Sequence, residues 1–515
     1  MLVSTTDDRI IVKKRLFALV AALSLFLIAV RLLSSDCFLD GTVYAAIARN
    51  LAEGNGSFWH LSYTGEITPF YEHPPFGIWL ESLAFRMAGD HQWIEQFWGI
   101  GLEIITLGSI GLIWHTVKSN LSADNTRAKP IISGLWWPLF LCTLPPLISW
   151  CFTNNLLENT TTPLLLLAIW QALSSCLEKN AYRTISQAIF AGILIFLALL
   201  TKGPPALFPC ILPLAAYLSL GRISLSRCIQ TTLTMVLTIV LCSALMWLMD
   251  NGIHDFIRVY ADNQLRASIM GLRELSPSRF YLASVLMREL ALPLGFAMII
   301  YLSHRHTFSL SAQPRWGIFF LILAMSGSLP FLVLSKQMDW YIMPTLPLYG
   351  LALASWTSGA AAQFEERIKR SGVLGNSVLG ISGILFVASV VTIINFRGVI
   401  KTDVGTYIRD INWHELANMP LDERQSEYTW KKFNEDFFER NVSLPPGSFI
   451  TSCPAEIHDD WRIRAYLQRY YRSTLTSRRG YDYILVGSGK EPCQLSSNYR
   501  QLTTGKDYTL YHRAQ

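Results

Sequence analysis

Long unbroken apolar runs, rather than helical stripes or strand-like alternation, dominate this chain and restrict it to very few architectures. About eleven are legible, at roughly 16–33, 96–116, 131–151, 163–177, 184–201, 203–219, 229–249, 282–303, 316–334, 341–358 and 374–396. Runs near or above about 18 residues read as membrane spans. Composition agrees: 51% of the 515 residues are hydrophobic and 16% are charged, where a soluble enzyme carries about a quarter charged. The chain is expected to be a polytopic α-helical membrane protein.

Basic residues set its orientation. Lys13, Lys14 and Arg15 precede the first run, so an inside N-terminus makes alternate loops cytoplasmic. Those loops hold Lys118, Arg127 and Lys129; Lys179 and Arg183; Arg222 and Arg227; Arg305 and Arg315; and Arg367, Lys369 and Arg370. The opposite loops are longer yet poorer in Lys and Arg, as the positive-inside rule demands. The net charge of +6 is therefore topological, and nucleic acid is not an expected partner. Ser34-Ser35-Asp36-Cys37 only faintly resembles a lipoprotein cleavage site, and no small-x-small site follows the first run, which is read as a permanent anchor. Most of the nine cysteines lie in or beside apolar runs, where they act as small apolar residues. Cys453 and Cys493 fall instead in a polar tail on the outside, where a disulfide between them is expected.

Three blocks result. An anchor and a large external loop (34–95) begin the chain, the remaining bundle runs to 396, and a tail of about 119 residues (397–515) follows. The bundle with its first loop is read as one catalytic domain, and the tail as a separate small α/β domain large enough to bury a core. In the tail, 448–451 and 481–486 look like strands and Asp459 to Tyr471 like a helix. In the first loop, Tyr44, Ile47, Ala48 and Leu51 share one helical face, Arg49, Asn50 and Glu53 lie off it, and Gly54 ends the helix. That pattern predicts an amphipathic helix lying on the membrane surface. Pro74-Pro75 predicts the first turn of a second such helix, with Ile78, Trp79, Leu80 and Leu83 apolar.

Chemistry-bearing residues gather at the external ends of the runs. They are Asp40-Gly41 in the first loop; Glu72-His73-Pro74-Pro75; Asn154-Asn155-Leu156-Leu157-Glu158-Asn159; Lys202-Gly203-Pro204; and Lys336 through Pro344, with Tyr341 inside it. Each has an ordinary reading. Asp40 suits the N-cap of a helix starting at Gly41. Lys202 suits a snorkelling lysine, and Lys336 and Tyr341 suit interfacial anchors.

Taken together and in this order, the motifs resemble the GT-C glycosyltransferases that take sugars from polyprenyl phosphates, in the branch of the lipid A aminoarabinose transferases and protein O-mannosyltransferases. The likeness covers roughly residues 16–350 and leaves the tail out. It implies a GT-C fold and an inverting transfer: an acceptor hydroxyl or phosphate attacks the anomeric carbon and a polyprenyl phosphate leaves. Such a reaction needs a carboxylate to orient or deprotonate the acceptor and cations to hold the leaving phosphate. By resemblance Asp40 is the candidate base, with Glu72 and Glu158 as further catalytic acids. His73 stands where the aminoarabinose branch usually has lysine, so its charge depends on pH. His73, Lys202, Arg266, Lys336 and Tyr341 are the candidate donor-phosphate residues. Gln264 stands where some relatives place a histidine, a departure that leaves no clear ligand set for a divalent metal, and the cofactor stays open. The resemblance further implies an inner-membrane enzyme with its site facing the periplasm, an undecaprenyl-phosphate sugar as donor, and a lipid, glycan or protein acceptor. A transporter, flippase or polymerase of lipid-linked sugars is the alternative; a transporter would place its charges nearer the bilayer midplane.

Overall fold

The computed structural model describes residues 4–33, 37–63, 69–91, 93–122, 132–266, 270, 278–304, 314–334, 336–396, 444–453, 457–458, 461–487, 495, 498–504 and 508–513. Its helices in chain order are α1 (Ser4–Arg31), α2 (Leu39–Ala52), α3 (Phe76–Ala88), α4 (Ile94–Ser122), α5 (Trp136–Thr143), α6 (Pro146–Thr153), α7 (Leu157–Leu177) and α8 (Ala181–Lys202). There follow α9 (Leu212–Leu220), α10 (Leu225–Met249), α11 (Gly252–Tyr260), α12 (Tyr281–His304), α13 (Pro314–Val333), α14 (Leu346–Arg370), α15 (Gly372–Phe396) and α16 (Trp461–Tyr471).

Every apolar run read from the sequence is helical, and the chain is a polytopic helical membrane protein. Seven helices among the described residues are long and apolar enough to cross a membrane by length and composition: α4, α7, α8, α10, α12, α13 and α15. The other four runs differ for physical reasons. Helix α1 carries charges in its first half, and proline interrupts three more. Pro145-Pro146 divides the 131–151 run into α5 and α6, since proline lacks an N–H and pushes its predecessor out of the helical region. Pro204-Pro205 and Pro344 impose 3-10 segments, Pro204–Ile211 and Asp339–Thr345, ahead of α9 and α14. Large apolar side chains stand outward, among them Leu233, Leu237, Val240 and Leu245 on α10 and Ile384 and Ile394 on α15. Such a surface suits lipid and not water. Helix α7 is the most enclosed of the seven, and it packs on α8, which packs on α10.

Contacts divide the chain into two compact units: 1–35, 72–77 and 96–400 form the bundle unit, and 36–71, 78–95 and 401–515 form the other. The division differs from the hydropathy boundary at 396, because most of the first loop groups with the tail. The tail's sheet has strand order β2-β1-β3-β5-β4, with β1 Phe449–Cys453, β2 Thr474–Thr476, β3 Tyr483–Gly487, β4 Tyr499–Thr504 and β5 Tyr508–Arg513. β1 is parallel to β2 and β3, while β5 is antiparallel to β3 and β4. Helix α16 makes the crossover from β1 to β2, and Ile463 and Leu467 on it join Leu444, Ile450, Leu475, Leu485 and Leu510 in one core. The expected α/β tail is thus present. β2, β4 and β5 were not legible, because β2 is three residues long and β4 reads as polar. Cys453 is disulfide-bonded; Cys493, its expected partner, lies outside the described residues.

Three expectations about the first loop need correction. Helix α2 starts at Leu39 with Phe38 as its cap residue, so Asp40 is not an N-cap but sits inside the first turn, where the helix dipole favours a carboxylate. Nor is α2 a one-sided surface helix. Gly41 to Leu51 are all buried, Arg49 and Asn50 included, because the polar face is covered within its own unit. Gly54 does end the helix, at φ 87°, and Pro74-Pro75 immediately precedes α3 rather than opening it.

Candidate active site

The bundle's charge cluster is built by the turn between α6 and α7. Asn155 adopts φ 53°, a left-handed conformation that asparagine tolerates better than other side chains with a Cβ. Asn154 Nδ2 donates to the Trp150 carbonyl at 2.9 Å, and Asn159 Nδ2 donates to the Cys151 carbonyl at 2.7 Å. These bonds occupy two of the terminal carbonyls of α6, and Glu158 follows in the first turn of α7. Helices α7 and α8 are consecutive and packed together, so the start of one meets the end of the other. Lys202, the last residue of α8, places Nζ 2.8 Å from Glu158 Oε1.

The pair is nearly dry: the Glu158 side chain is 2% exposed and that of Lys202 12%. Its geometry is incomplete. The ammonium is close enough for an ion pair, yet neither Glu158 oxygen has a hydrogen bond among the described residues. Buried carboxylate oxygens are normally satisfied. Lys202 Nζ also stands 6.0 Å from the centre of the Tyr341 ring, within the range of a cation–π attraction.

Neighbouring residues hold this arrangement. Gly203 ends α8 at φ 84° with the Tyr260 hydroxyl against it, so a side chain there would meet both strain and the phenol. The Asp339–Thr345 segment packs on α7, with Trp340 stacked on Trp150 at 6.0 Å and the Thr162 hydroxyl 2.8 Å from Met343 Sδ. A Cβ on Gly77 would stand 2.6 Å from Thr201 Cγ2 and 3.1 Å from Leu157 Cδ2. Gly77, two residues after Pro75, is thereby seated beside residues that flank Lys202 and Glu158 in sequence.

Of the residues singled out by sequence, the structure brings Glu158, Lys202 and Tyr341 together. Glu72 is exposed and His73 half-buried. Lys336 is half-buried in the strand of chain leading to Tyr341. Arg266 is two-thirds exposed on a π-helical turn, 4.0 Å from Asp262. Asp40 is half-buried and belongs to the other compact unit. Among the described residues no group of three or more His, Cys, Asp or Glu could hold a metal ion.

Sequence reasoning missed a second polar cluster in the bundle. Asp339, 2% exposed, pairs with Arg288 Nη2 at 2.9 Å and accepts a hydrogen bond from the Tyr281 hydroxyl. Arg288 also lies 3.3 Å from Glu289 Oε1, and Glu289 Oε2 accepts the Leu147 N–H at 2.8 Å, serving the exposed amide end of α6. Gln337 accepts from the Leu282 N–H at 2.9 Å and donates to the Arg279 carbonyl at 3.2 Å. The signal was present: Arg288-Glu289 is an adjacent charge pair inside an otherwise apolar run, and charges there are rare without a role.

No family model matches this chain, and no curated protein matches it either. Solved structures do match. ArnT from Cupriavidus metallidurans bound to undecaprenyl phosphate is 12% identical, with a TM-score of 0.59, over 95% of this chain and 96% of that one. The apo state of the same protein gives 13% identity and a TM-score of 0.58 over 96% and 97%. An oligosaccharyltransferase from Archaeoglobus fulgidus is 14% identical, with a TM-score of 0.44, over 91% of this chain and 68% of that one. The chain therefore shares, along nearly its whole length, the fold of the ArnT structures.

Proposed function

We propose that this chain is a glycosyltransferase that moves a sugar from a polyprenyl-phosphate donor to a lipid, glycan or protein acceptor on the periplasmic face of an inner membrane. The observation that carries the reading is the buried Lys202–Glu158 pair beside Tyr341. A lysine held in a dry pocket by one carboxylate is a ready partner for a phosphate, whose arrival would stabilise it more than water could. An ArnT structure with undecaprenyl phosphate bound, in the same fold, supports a lipid phosphate as the ligand class.

In this reading the acceptor oxygen forms a bond to the anomeric carbon as the bond from that carbon to the phosphate oxygen breaks. Asp40 takes the acceptor proton, and the phosphate keeps the bonding electrons. Lys202 holds the developing charge, helped by His73, Arg266, Lys336 and the Tyr341 hydroxyl. Glu158 aims Lys202, and Glu72 orients the acceptor.

The test is mass spectrometry of lipid A, envelope glycans and glycoproteins from cells lacking the chain, complemented with wild type, Asp40→Asn or Lys202→Ala. One sugar should disappear from one acceptor, return with wild type and stay absent with either variant. Full restoration by Asp40→Asn would remove the base assignment. A lipid-linked sugar that accumulates on the inner leaflet would instead indicate a flippase.

A further inference from the structure

The second compact unit holds a buried ion network that the proposed chemistry does not use. Arg469, in the last turn of α16, is 2% exposed. Its guanidinium grips Glu95 as a fork, Nε to Oε1 at 3.2 Å and Nη2 to Oε2 at 2.8 Å. Nη1 donates to Asp90 Oδ1 and Nη2 to the His91 carbonyl, each at 2.8 Å. Arg472 adds Nε to Asp90 Oδ2 and Nη2 to Glu53 Oε1, both at 2.8 Å. In the opposite direction Arg49 of α2 reaches the tail: Nη1 donates to the Gln468 carbonyl at 2.6 Å and to the Arg469 carbonyl at 3.3 Å. Those are terminal carbonyls of α16, the negative end of its dipole, so Arg49 acts as its C-terminal cap. Arg49 Nη2 then donates to Asn50 Oδ1 at 2.8 Å, and Asn50 Nδ2 donates to the Ser62 carbonyl at 3.2 Å.

Helix α2 is thus held at its C-terminal half by the tail, at the residue nine places after Asp40. A rigid helix carries that constraint over roughly 13 Å to its first turn. We propose that the tail is a positioning element for the proposed base: Arg469 anchors α16 on Asp90, His91 and Glu95, and Arg49 ties α2 to the carbonyls of the helix so anchored, which together fix where Asp40 points. The inference rests on the glycosyltransferase reading above for its catalytic consequence, but its structural half stands independently.

Three planar guanidiniums make the lock specific. A lysine supplies charge without the fork, and cannot serve Glu95, Asp90 and the His91 carbonyl in one geometry. Ordinary packing of tail on loop would not need that shape, so arginine and lysine become distinguishable at 469.

The experiment is hydrogen–deuterium exchange on the full chain in nanodiscs, run beside steady-state kinetics, for Arg469→Ala and Arg469→Lys. Amides of residues 39–52 should exchange about tenfold faster in Arg469→Ala, and those of 157–177 and 181–202 should be unchanged. Arg469→Lys should fall between wild type and Arg469→Ala and carries the test if the alanine variant fails to fold. Turnover should drop by about tenfold with donor KM unmoved, because the donor residues are untouched. Unchanged protection at 39–52 in both variants overturns the inference, as does full activity in Arg469→Lys with wild-type exchange. If Asp40→Asn proves active, the base assignment fails while the exchange result still judges the lock.

Discussion

Two buried ion pairs of equal length, Lys202–Glu158 and Arg469–Glu95, both at 2.8 Å, behave as opposites. The tail arginine spends its donors on two carboxylates and a carbonyl, each at good geometry, and Glu95 receives a fork. The lysine has one carboxylate and a distant ring, and Glu158 has no well-formed hydrogen bond. Burial is shared, so what distinguishes the two pairs is how completely each is hydrogen-bonded. The contrast is between Arg469 and Glu158 themselves, since Arg49 Nε beside the tail arginine also has no partner among the described residues. Burial alone would raise the Asp90 carboxyl, yet Arg469, Arg472 and Arg49 outweigh it and hold it below its usual range. Burial likewise opposes the charge on Arg469, and Glu95 and Asp90 overcome it, keeping that guanidinium above its ordinary value.

The comparison breaks most visibly by cutting the saturated side. Arg469→Ala leaves Glu95 buried and unpaired and should cost about 3–5 kcal/mol. Thermal unfolding of purified protein, followed at tail peptides, checks this; a loss below about 1 kcal/mol would mean water replaces the guanidinium freely. The unsaturated side should answer differently. Replacing both partners, Glu158→Leu with Lys202→Met, should leave stability level or higher by about 1–4 kcal/mol. Transfer activity should fall at least about 100-fold, equivalent to roughly 2.7 kcal/mol of barrier. A destabilised but active double variant would reverse the assignment of roles.

A smaller effect tests how tightly the site is seated. Gly77→Ala forces a methyl onto Thr201 Cγ2, an overpacking worth about 1–3 kcal/mol. Adding Thr201→Ser removes that methyl and should recover part of the loss in both stability and activity. The smallest effect is on pH. Because the Asp90 carboxyl is depressed in the folded protein, its stabilisation is complete above the ordinary value of 3.8 and disappears as pH falls through the lower native one. The unfolding midpoint of the tail should therefore be flat from neutrality to about pH 5 and decline in the acid range below. The decline should be shallower in Asp90→Asn.

What the sequence revealed follows the range of the interactions involved. Apolar runs are local, so the bundle helices were legible; the breaks at Pro145-Pro146, Pro204-Pro205 and Pro344 were not, because each lies inside a run that reads as one span. Glu158, Lys202 and Tyr341 were legible because each sits at the end of a run within a short motif. The Arg288–Asp339 pair was not, since its partners are 51 residues apart and lie on either side of another span. The burial of α2 was hidden for the same reason: its periodicity read as a membrane-surface helix, but what covers Arg49 is 419 residues away.

That separation bears on how the molecule is made. Helix α2, Asp90 and Glu95 leave the ribosome early, whereas Arg469 follows only after the bundle. At about 5–20 residues per second the gap lasts roughly 20–80 s. During it the loop carries a helix whose Arg49 has no carbonyls to cap and two acids whose guanidiniums are still unmade. The first loop to be synthesised is thus among the last to settle. Its nascent form is a natural client for chaperones, and any truncation ahead of α16 leaves it permanently unfinished.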